Sequence, residues 1–258
     1  MFHSGLVSIT FRKLTPAQIV NLVAQGGLEG IEWGGDVHVP HGDIQRAQVV
    51  RRMTADAGLA VAAYGSYYRL DASEREGLEF ATVLETAVAL GAPTIRVWAG
   101  GKGSADADEA HWQEIIQLSR CIADMADAAG IDIAYEFHGG TLTDTNETAL
   151  RLVREVNHPR VKTYWQPATD RSEVVRLEGL RSVLPWLANI HAFYWRPDFA
   201  HRCLLREGLA SWTEYLQVAA TTGHDHWVMI EFVRDDSPAA FLEDAAALKE
   251  LIGRAAGR

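Results

Sequence analysis

Short apolar segments alternate with longer amphipathic segments along the chain. Eight short segments predict β-strands, because each is rich in apolar or β-branched residues and is bounded by glycine, proline or polar residues. The predicted strands are Leu6–Phe11, Gly30–Trp33, Leu59–Tyr67, Thr94–Ala99, Ile131–His138, Val161–Gln166, Asn189–Trp195 and Trp227–Val233. The segments between and after them have helical periodicity, and the predicted helices are Thr15–Gln25, Ile44–Ala57, Ser73–Leu90, Glu109–Ala129, Thr145–Val156, Ser172–Leu184, Trp212–Thr222 and Pro238–Leu251. Strand and helix therefore alternate eight times.

Capping residues mark several of the predicted helix ends. Thr15 followed by Pro16 is typical of a helix start, and Ser237 followed by Pro238 repeats this arrangement before the last helix. Glycines that can end a helix occur at Gly26, Gly27, Gly58, Gly91, Gly130 and Gly223. The chain has 258 residues, close to the roughly 250 of one barrel, and no shift in composition marks a linker. The sequence thus predicts a single (β/α)₈ TIM barrel over residues 1–258.

The composition narrows the classes of function. A hydrophobic fraction of 48% and a charged fraction of 22% are typical of a soluble globular protein, and no apolar run approaches the roughly 18 residues of a membrane span. The first residues do not resemble a secretory signal, so we expect a cytoplasmic protein. A net charge of −10 argues against nucleic-acid binding. Cys121 and Cys203 have no metal-ligand spacing and no disulfide pattern.

Four predicted strands carry, at or near their ends, one side chain each that can bind a metal ion. In chain order these residues are Glu136, Gln166, His191 and Glu231, separated by 30, 25 and 40 residues. One strand-plus-helix unit is roughly 30 residues long, so successive parallel strands would each deliver one ligand to the same end of the barrel. The carboxyl ends of the strands are where barrel enzymes carry their catalytic groups.

The residue types favour a hard divalent ion. In the fifth predicted strand Glu136 and His138 share the face with the small Ala134, which predicts that this face lines the barrel interior. A carboxylate buried there needs a partner, and a metal ion is one solution. Carboxylate, amide and imidazole ligands without a thiolate suit Mn²⁺ best, with Mg²⁺ or Co²⁺ possible. The alternative is a structural network in which the glutamates pair with Arg96 or Lys162.

With these four residues, the sequence resembles a known family, the xylose-isomerase-like TIM-barrel superfamily of sugar isomerases and epimerases. Two further segments support the resemblance: Leu-Arg-Glu-Gly-Leu-Ala-Ser-Trp at Leu205–Trp212, and Gly-Ile-Glu-Trp at Gly30–Trp33. The superfamily includes ketose 3-epimerases, hydroxypyruvate isomerases, inosose dehydratases and, more distantly, endonuclease IV. The resemblance implies metal ligands Glu, Asp, His and Glu on the fifth to eighth strands, which match Glu136, Gln166, His191 and Glu231.

Gln166 departs from the family pattern, which has aspartate at this position. Gln166-Pro167 keeps an oxygen donor but loses one negative charge. Two glutamates and a divalent ion would then be formally neutral. We expect weaker retention of the metal, a more electrophilic ion and easier acceptance of an anionic substrate.

Several other residues are candidates for contact with a substrate. His138 would lie beside the metal, and Trp98 could form an apolar wall while Arg96 lies deeper in the barrel. Glu32 either meets substrate hydroxyls or pairs with Arg96. The loop after the seventh strand is rich in aromatic and basic residues, a composition suited to sugar rings. The predicted substrate-binding residues are Glu32, Trp98, Trp195 and Arg202.

The resemblance predicts a metal-dependent isomerase or epimerase of a small sugar or keto-polyol, acting through an enediolate. Glu136 and Glu231 would form the acid/base pair, with His138 as a third catalytic residue. Two alternatives stay open: a metal-dependent lyase or dehydratase, of the inosose dehydratase or keto-glycoside elimination kind, in which His138 protonates the leaving group, and a non-catalytic descendant that has lost its metal. We expect a small carbohydrate as the partner, no nucleic acid or membrane, and a homodimer or homotetramer.

Overall fold

The computed structural model describes residues 1–255 and contains a closed barrel of eight parallel strands. In chain order the barrel strands are β1 (Phe2–Val7), β2 (Gly30–Gly34), β3 (Ala60–Arg69), β4 (Thr94–Trp98), β5 (Asp132–Tyr135), β6 (Val161–Trp165), β7 (Leu187–Ala192) and, after a short two-stranded hairpin, β10 (His226–Ile230). Neighbours in the barrel follow chain order, and β10 closes it against β1. The predicted (β/α)₈ barrel is therefore confirmed.

Within residues 1–255, eight α-helices surround the strands. They are α1 (Pro16–Gly26), α2 (Ile44–Asp56), α3 (Phe80–Leu90), α4 (Glu109–Asp127), α5 (Asn146–Val156), α6 (Glu173–Val183), α7 (Leu209–Ala220) and α8 (Pro238–Ala255). At the start of α1, Thr15 and Gln18 form a reciprocal capping box, and Gly27 ends the helix with a φ of +63°. None of the helices described combines the length and hydrophobicity needed to cross a bilayer.

The core has an outer and an inner part. The outer part fills the space between strands and helices, and the inner part is a smaller cluster inside the barrel, made of Val7, Ile9, Ala62, Ala63, Ala134, Tyr164 and Met229. Three of these seven residues are alanines, which leave room at the axis for longer side chains nearer the mouth. The barrel therefore has space for the polar groups described below.

The first strand begins earlier than the sequence predicts. The prediction of Leu6–Phe11 was wrong, because β1 starts at Phe2 and Ser8–Phe11 form a 3₁₀ turn. The backbone of β1 pairs with β10 from Phe2 onward, so the polar residues His3 and Ser4 belong to the strand. Pairing of the backbone outweighs the polar side chains, which the apolar pattern could not show.

Three other strands end three residues earlier than predicted, because the chain turns at the barrel mouth. After β5, the Thr143 hydroxyl donates to the Glu136 carbonyl at 2.6 Å and folds the chain back. After β10, Phe232 has a φ of +48°, far from the extended backbone of a regular strand. The strands end at Tyr135, Ala192 and Ile230 rather than at His138, Trp195 and Val233.

Two helices start three or more residues away from the predicted position. The helix expected at Ser73–Leu90 begins only at Phe80, since Gly77 adopts a φ of +90° and interrupts the helical pattern. The helix expected at Trp212–Thr222 begins earlier, at Leu209, directly after a 3₁₀ turn. The loops that precede these two helices therefore have bounds different from those inferred from periodicity.

The aromatic loop after β7 forms a small hairpin outside the barrel. Its two strands, β8 (Tyr194–Trp195) and β9 (Arg202–Cys203), pair antiparallel. We call residues 194–203 the rim hairpin, because it lies at the carboxyl end of β7. It brings Trp195 and Arg202 opposite each other in register.

Candidate metal centre and active site

Three acidic and imidazole side chains meet at the carboxyl end of the barrel. Glu136 and Glu231 each follow the last residue of a strand, β5 and β10, and His191 lies near the end of β7. One ligand atom from each residue lies within 4.8 Å of the other two. His191 Nδ1 is 3.5 Å from Glu231 Oε2 and 3.7 Å from Glu136 Oε1. All three side chains are buried.

Gln166 adds an amide oxygen to this group. Its Nε2 donates to the Phe137 carbonyl at 2.7 Å, which fixes the orientation of the amide. Its Oε1 consequently points inward and lies 3.0 Å from His191 Nδ1. The structure thus brings the four predicted ligands together, including the residue that departs from the family pattern.

This donor set fits a divalent ion. Bonds of about 2.1 Å place two ligands on opposite sides of an ion about 4.2 Å apart, close to the 4.8 Å limit within which the Glu136, His191 and Glu231 atoms lie. Two carboxylates, an imidazole and an amide oxygen, with no thiolate, are ligands suited to Mn²⁺ and Mg²⁺. The preference for Mn²⁺ stays a prediction.

A buried arginine lies beneath the candidate metal centre. Arg96 Nε donates to Glu32 Oε1 at 2.7 Å, and its Nη1 pairs with Glu136 Oε2. Gly65 makes room for this pair, since a Cβ there would lie 2.7 Å from Arg96 Nη2 and 2.8 Å from Glu32 Oε1. Burial alone would raise the pKa of Glu32, but the nearby charges of Arg96 and His191 lower it to about 2.

Glu32 and Tyr164 surround the far side of His191. His191 Nε2 is 3.5 Å from Glu32 Oε2, and the Tyr164 ring packs edge-on at 5.0 Å. Burial lowers the pKa of His191, but Glu231 and Glu32 more than compensate and raise it to about 10. An incoming metal ion would therefore have to displace a proton from Nδ1. Of the two alternatives for Glu32, the structure has the pairing with Arg96.

The two glutamates of the centre differ in their partners. Glu136 Oε2 accepts from both Arg96 and Trp98 Nε1, the latter at 2.6 Å. Among residues 1–255, the only basic group within 4.0 Å of the Glu231 carboxylate is His191. Glu136 is therefore held in place by two donors, whereas Glu231 has much of its hydrogen-bonding capacity free.

Aromatic residues form the wall above Glu136. His138 stacks on Trp98 with ring centroids 4.5 Å apart. His138 Nδ1 donates to the Gly139 carbonyl at 2.7 Å, which leaves Nε2 without a bond to the protein among the described residues. Tyr67 packs edge-on against Trp98 at 5.4 Å and lies 5.0 Å from the Arg96 guanidinium. His138 and Trp98 are thus adjacent to the candidate metal centre.

The other two predicted substrate-binding residues lie in the rim hairpin. Trp195 stacks on Phe193 at 3.5 Å and donates to the Phe232 carbonyl at 3.2 Å. Arg202 lies over the rings of Phe199 and Phe232 at 4.2 and 5.1 Å. Phe232 directly follows Glu231, so both hairpin residues lie close to one edge of the centre. Their contact with a substrate stays a prediction.

Sequence reasoning missed Tyr67 and Phe232. Both are bulky residues with positive φ values, +57° and +48°, at the carboxyl ends of β3 and β10. Such backbone conformations are strained for these residue types and concentrate at functional sites. The sequence contains no signal for them, because glycine or asparagine is the usual residue at positive φ.

Comparisons with known proteins agree with this architecture. A family model described as xylose isomerase-like TIM barrel matches residues 20–251. A 3-dehydroshikimate dehydratase of Bacillus anthracis is 27% identical over 206 residues, which cover 72% of this chain and 70% of that protein. The crystal structure of a probable 3-DHS dehydratase involved in petrobactin synthesis in Bacillus anthracis aligns with a TM-score of 0.81 and 23% identity, covering 96% of this chain and 99% of that one.

A second solved structure represents the epimerase branch. D-psicose 3-epimerase from Clostridium cellulolyticum H10, solved with D-tagatose, aligns with a TM-score of 0.72 and 17% identity. The alignment covers 97% of this chain and 98% of that one. Because both solved structures are less than 25% identical to this chain, they support the fold alone.

Proposed function

The chain belongs to the xylose isomerase-like TIM-barrel family, and from this premise we propose that it is a metal-dependent dehydratase of a small hydroxylated keto acid such as 3-dehydroshikimate. The observation that carries the proposal is the difference between the two glutamates: Glu136 is held by Arg96 and Trp98, and Glu231 is not. The similarity to a 3-dehydroshikimate dehydratase supplies the class of substrate.

The asymmetry favours elimination over epimerisation. Epimerisation at one carbon removes a proton from one face and returns a proton to the opposite face, which calls for two groups that exchange protons. Elimination needs one base for the proton next to the ketone and one acid for the departing hydroxyl. Glu136 Oε2 is occupied by hydrogen bonds from two donors and is not free to approach a substrate C–H, whereas the Glu231 carboxylate is free to approach one.

His138 is the second proton-transfer group of the proposal. Its Nδ1 is bound to the Gly139 carbonyl, so a protonated ring has Nε2–H free to donate. Glu231 takes the proton from the carbon next to the ketone, the C–O bond of the β-hydroxyl breaks, and His138 gives its proton to the leaving oxygen to form water. A bound divalent ion would polarise the ketone and stabilise the charge that develops on its oxygen.

The direct test is incubation of the purified protein with Mn²⁺ and 3-dehydroshikimate. Loss of water leaves an aromatic dihydroxybenzoate, whose ultraviolet absorbance reports turnover. We expect product with the unmodified chain, and at least a 100-fold smaller kcat for Glu231→Gln and for His138→Asn, in line with the loss of a general acid or base. Arg206→Gln, an exposed residue outside the centre, is the matched control. No product at any Mn²⁺ concentration would rule out this substrate.

Epimerisation of a ketose is the second candidate, because Glu136 and Glu231 both offer a carboxylate atom within 4.8 Å of His191. The experiment that separates the candidates is incubation with D-psicose or D-tagatose in D₂O. Deuterium at the carbon next to the ketone of the recovered sugar, detected by NMR, would favour the epimerase. Dehydration of the keto acid without such exchange would favour the dehydratase.

A further inference from the structure

A cleft with an internal volume of about 450 Å³ lies at the rim of the barrel, between the segment after β1 and the segment after β10. We call it the rim cleft. None of the residues assigned to the metal centre lines it, but Phe232, which follows Glu231, forms part of its wall. Its lining consists of Ile9, Thr10, Phe11, Arg12, Lys13, Leu14, Arg202, Phe232, Asp236 and Pro238.

The rim cleft is basic in an acidic protein. Arg12, Lys13 and Arg202 give it three positive charges against the single negative charge of Asp236, whereas the whole chain carries −10. Arg12 also pairs with Asp36, outside the lining. A concentration of positive charge in a concave site attracts an anion and raises its local concentration.

Arg202 is held in a geometry suited to receiving an anion. Its guanidinium packs against the rings of Phe199 and Phe232, and its side chain is only 17% exposed. Nη1 donates to Asp236 Oδ1 at 2.5 Å and to the Val233 carbonyl at 3.4 Å. Within residues 1–255 its other N–H groups have no hydrogen-bond partner, so part of the planar donor set remains available. A fixed guanidinium of this kind favours carboxylate or phosphate oxygens.

Most of the remaining lining of the rim cleft is apolar, and two of its residues connect the cleft to the inner core cluster of the barrel. Ile9 belongs to the inner core cluster, and Phe232 packs against that cluster. The Phe232 amide donates to Thr10 Oγ1 at 3.0 Å, which fixes this wall despite its positive φ. A ligand that matches both surfaces has an apolar or ring-shaped body and one anionic group.

We propose that the rim cleft binds small ring-bearing organic acids, with the carboxylate against Arg202 and Lys13. The inference rests on the proposed function in so far as the substrate is such an acid and its carboxylate would occupy this cleft. Binding itself is independent of turnover. A cleft that holds the carboxylate would fix which end of the substrate faces Glu231.

Benzoate is the probe for this site, with inorganic phosphate as the comparison anion. Binding is measured by saturation-transfer NMR titration on metal-loaded protein and on chelated protein. We expect benzoate to bind in both, with Kd raised about tenfold in Arg202→Gln and about threefold in Lys13→Gln, as expected for loss of a charged hydrogen bond and of an exposed charge. The matched control is Arg206→Gln, which removes an exposed arginine close in sequence to the rim hairpin without touching the cleft.

Arg202→Gln could disturb the rim hairpin, so the test also uses Lys13→Gln. Lys13 is exposed, and its replacement leaves the hairpin intact. An unchanged benzoate Kd in both Arg202→Gln and Lys13→Gln, or an equal change in Arg206→Gln, would overturn the proposal. Phosphate binding as tight as benzoate binding would also overturn it, since the apolar wall would then contribute nothing. Benzoate binding that is normal in a chain without dehydratase activity would uphold the cleft and refute the proposed function alone.

Discussion

Gln166 decides the charge of the candidate metal centre at the scale of a single residue. Its Oε1 lies 3.0 Å from His191 Nδ1, so replacement by aspartate adds a negative charge beside the two glutamates. Because ligand charge sets the affinity for hard cations, we expect Gln166→Asp to lower the Mn²⁺ Kd by about tenfold. Electron paramagnetic resonance of free Mn²⁺ measures the change, and Gln166→Asn, neutral but equally short, is the control. Equal affinities of the two variants would contradict a role for charge.

Glu32 is expected to position His191 from behind. Its carboxylate faces His191 Nε2 and pairs with Arg96, so Glu32→Gln weakens both contacts. Loss of such outer partners of metal ligands typically lowers affinity 10- to 100-fold, which predicts a higher Mn²⁺ Kd. Arg96 then keeps only one charged partner, and we expect about 3 kcal/mol lower stability in urea denaturation of the chelated protein.

The comparison variant for Glu32 is Glu29→Gln, which changes a partly exposed glutamate at the start of β2. It should leave the Mn²⁺ Kd unchanged. If Glu32→Gln lost stability but bound Mn²⁺ as tightly as the unmodified chain, the carboxylate would serve folding alone. Measuring both the Mn²⁺ affinity and the stability of Glu32→Gln therefore shows whether Glu32 positions His191 or only compensates the charge of Arg96.

The individual ligands could be predicted from the sequence, and Arg96 could be named as an alternative partner of the glutamates, but its bridging of two glutamates could not be predicted. Glu136, Gln166, His191 and Glu231 each follow an apolar run, and the spacing of these runs indicates a common end of the barrel. That Arg96 bridges two glutamates depends on strand register and on the missing side chain of Gly65. Neither the strand register nor the contact of Arg96 with Gly65 can be inferred from the local pattern of apolar residues.

At the scale of elements, α8 holds the turn that follows the rim hairpin. Asp244 Oδ1 accepts from the Leu205 amide at 2.7 Å, and burial raises the pKa of Asp244 to about 7. A raised pKa means that the folded state favours the neutral acid. This contribution to stability is full below the ordinary pKa near 3.8 and is lost as the pH rises through about 7.

The stability of Asp244→Asn should therefore increase relative to that of the unmodified chain as the pH rises. The amide keeps an oxygen for the Leu205 amide but carries no charge, so we expect the difference in unfolding free energy to move in its favour by about 2 kcal/mol between pH 5.5 and pH 8. Urea denaturation at the two pH values measures this difference. Asp56→Asn, at the exposed end of α2, should show no such trend. If the difference in unfolding free energy did not change with pH, the pKa of Asp244 in the folded protein would be close to its ordinary value.

Boundaries of elements were harder to predict than their order. The alternation of strands and helices follows from apolar periodicity, and the caps at Thr15 and Gly27 were visible in the sequence. The end of β10 was not visible, because Phe232 adopts a backbone conformation that its side chain disfavours, and neither was the continuation of β3 past Tyr67, whose φ is also positive. Contacts made only in the closed barrel hold these residues, such as the bond from the Phe232 amide to Thr10.

At the scale of the whole molecule, the candidate metal centre connects four neighbouring strands on one side of the barrel. Its residues come from the ends of β5, β6, β7 and β10, four strands that are successive neighbours in the closed sheet. An ion bound to all four would link segments that separate when the barrel opens, and it would bind the folded chain much more tightly than the unfolded one. Metal binding should therefore be visible as stability of the entire fold.

Mn²⁺ at about 100 times its Kd should raise the free energy of unfolding by about 2.7 kcal/mol relative to chelated protein, because ligand that binds only the folded state stabilises by mass action. Urea denaturation with and without chelator measures the shift, which should grow with the logarithm of the Mn²⁺ concentration. Glu231→Gln removes one proposed ligand and should show little or no shift, whereas Glu243→Gln, an exposed glutamate of α8, should behave like the unmodified chain. An equal shift in Glu231→Gln would mean that the ion binds elsewhere. No shift in the unmodified chain would favour the descendant that has lost its metal. In that protein, among residues 1–255, Arg96 and His191 would compensate the charge of the buried glutamates.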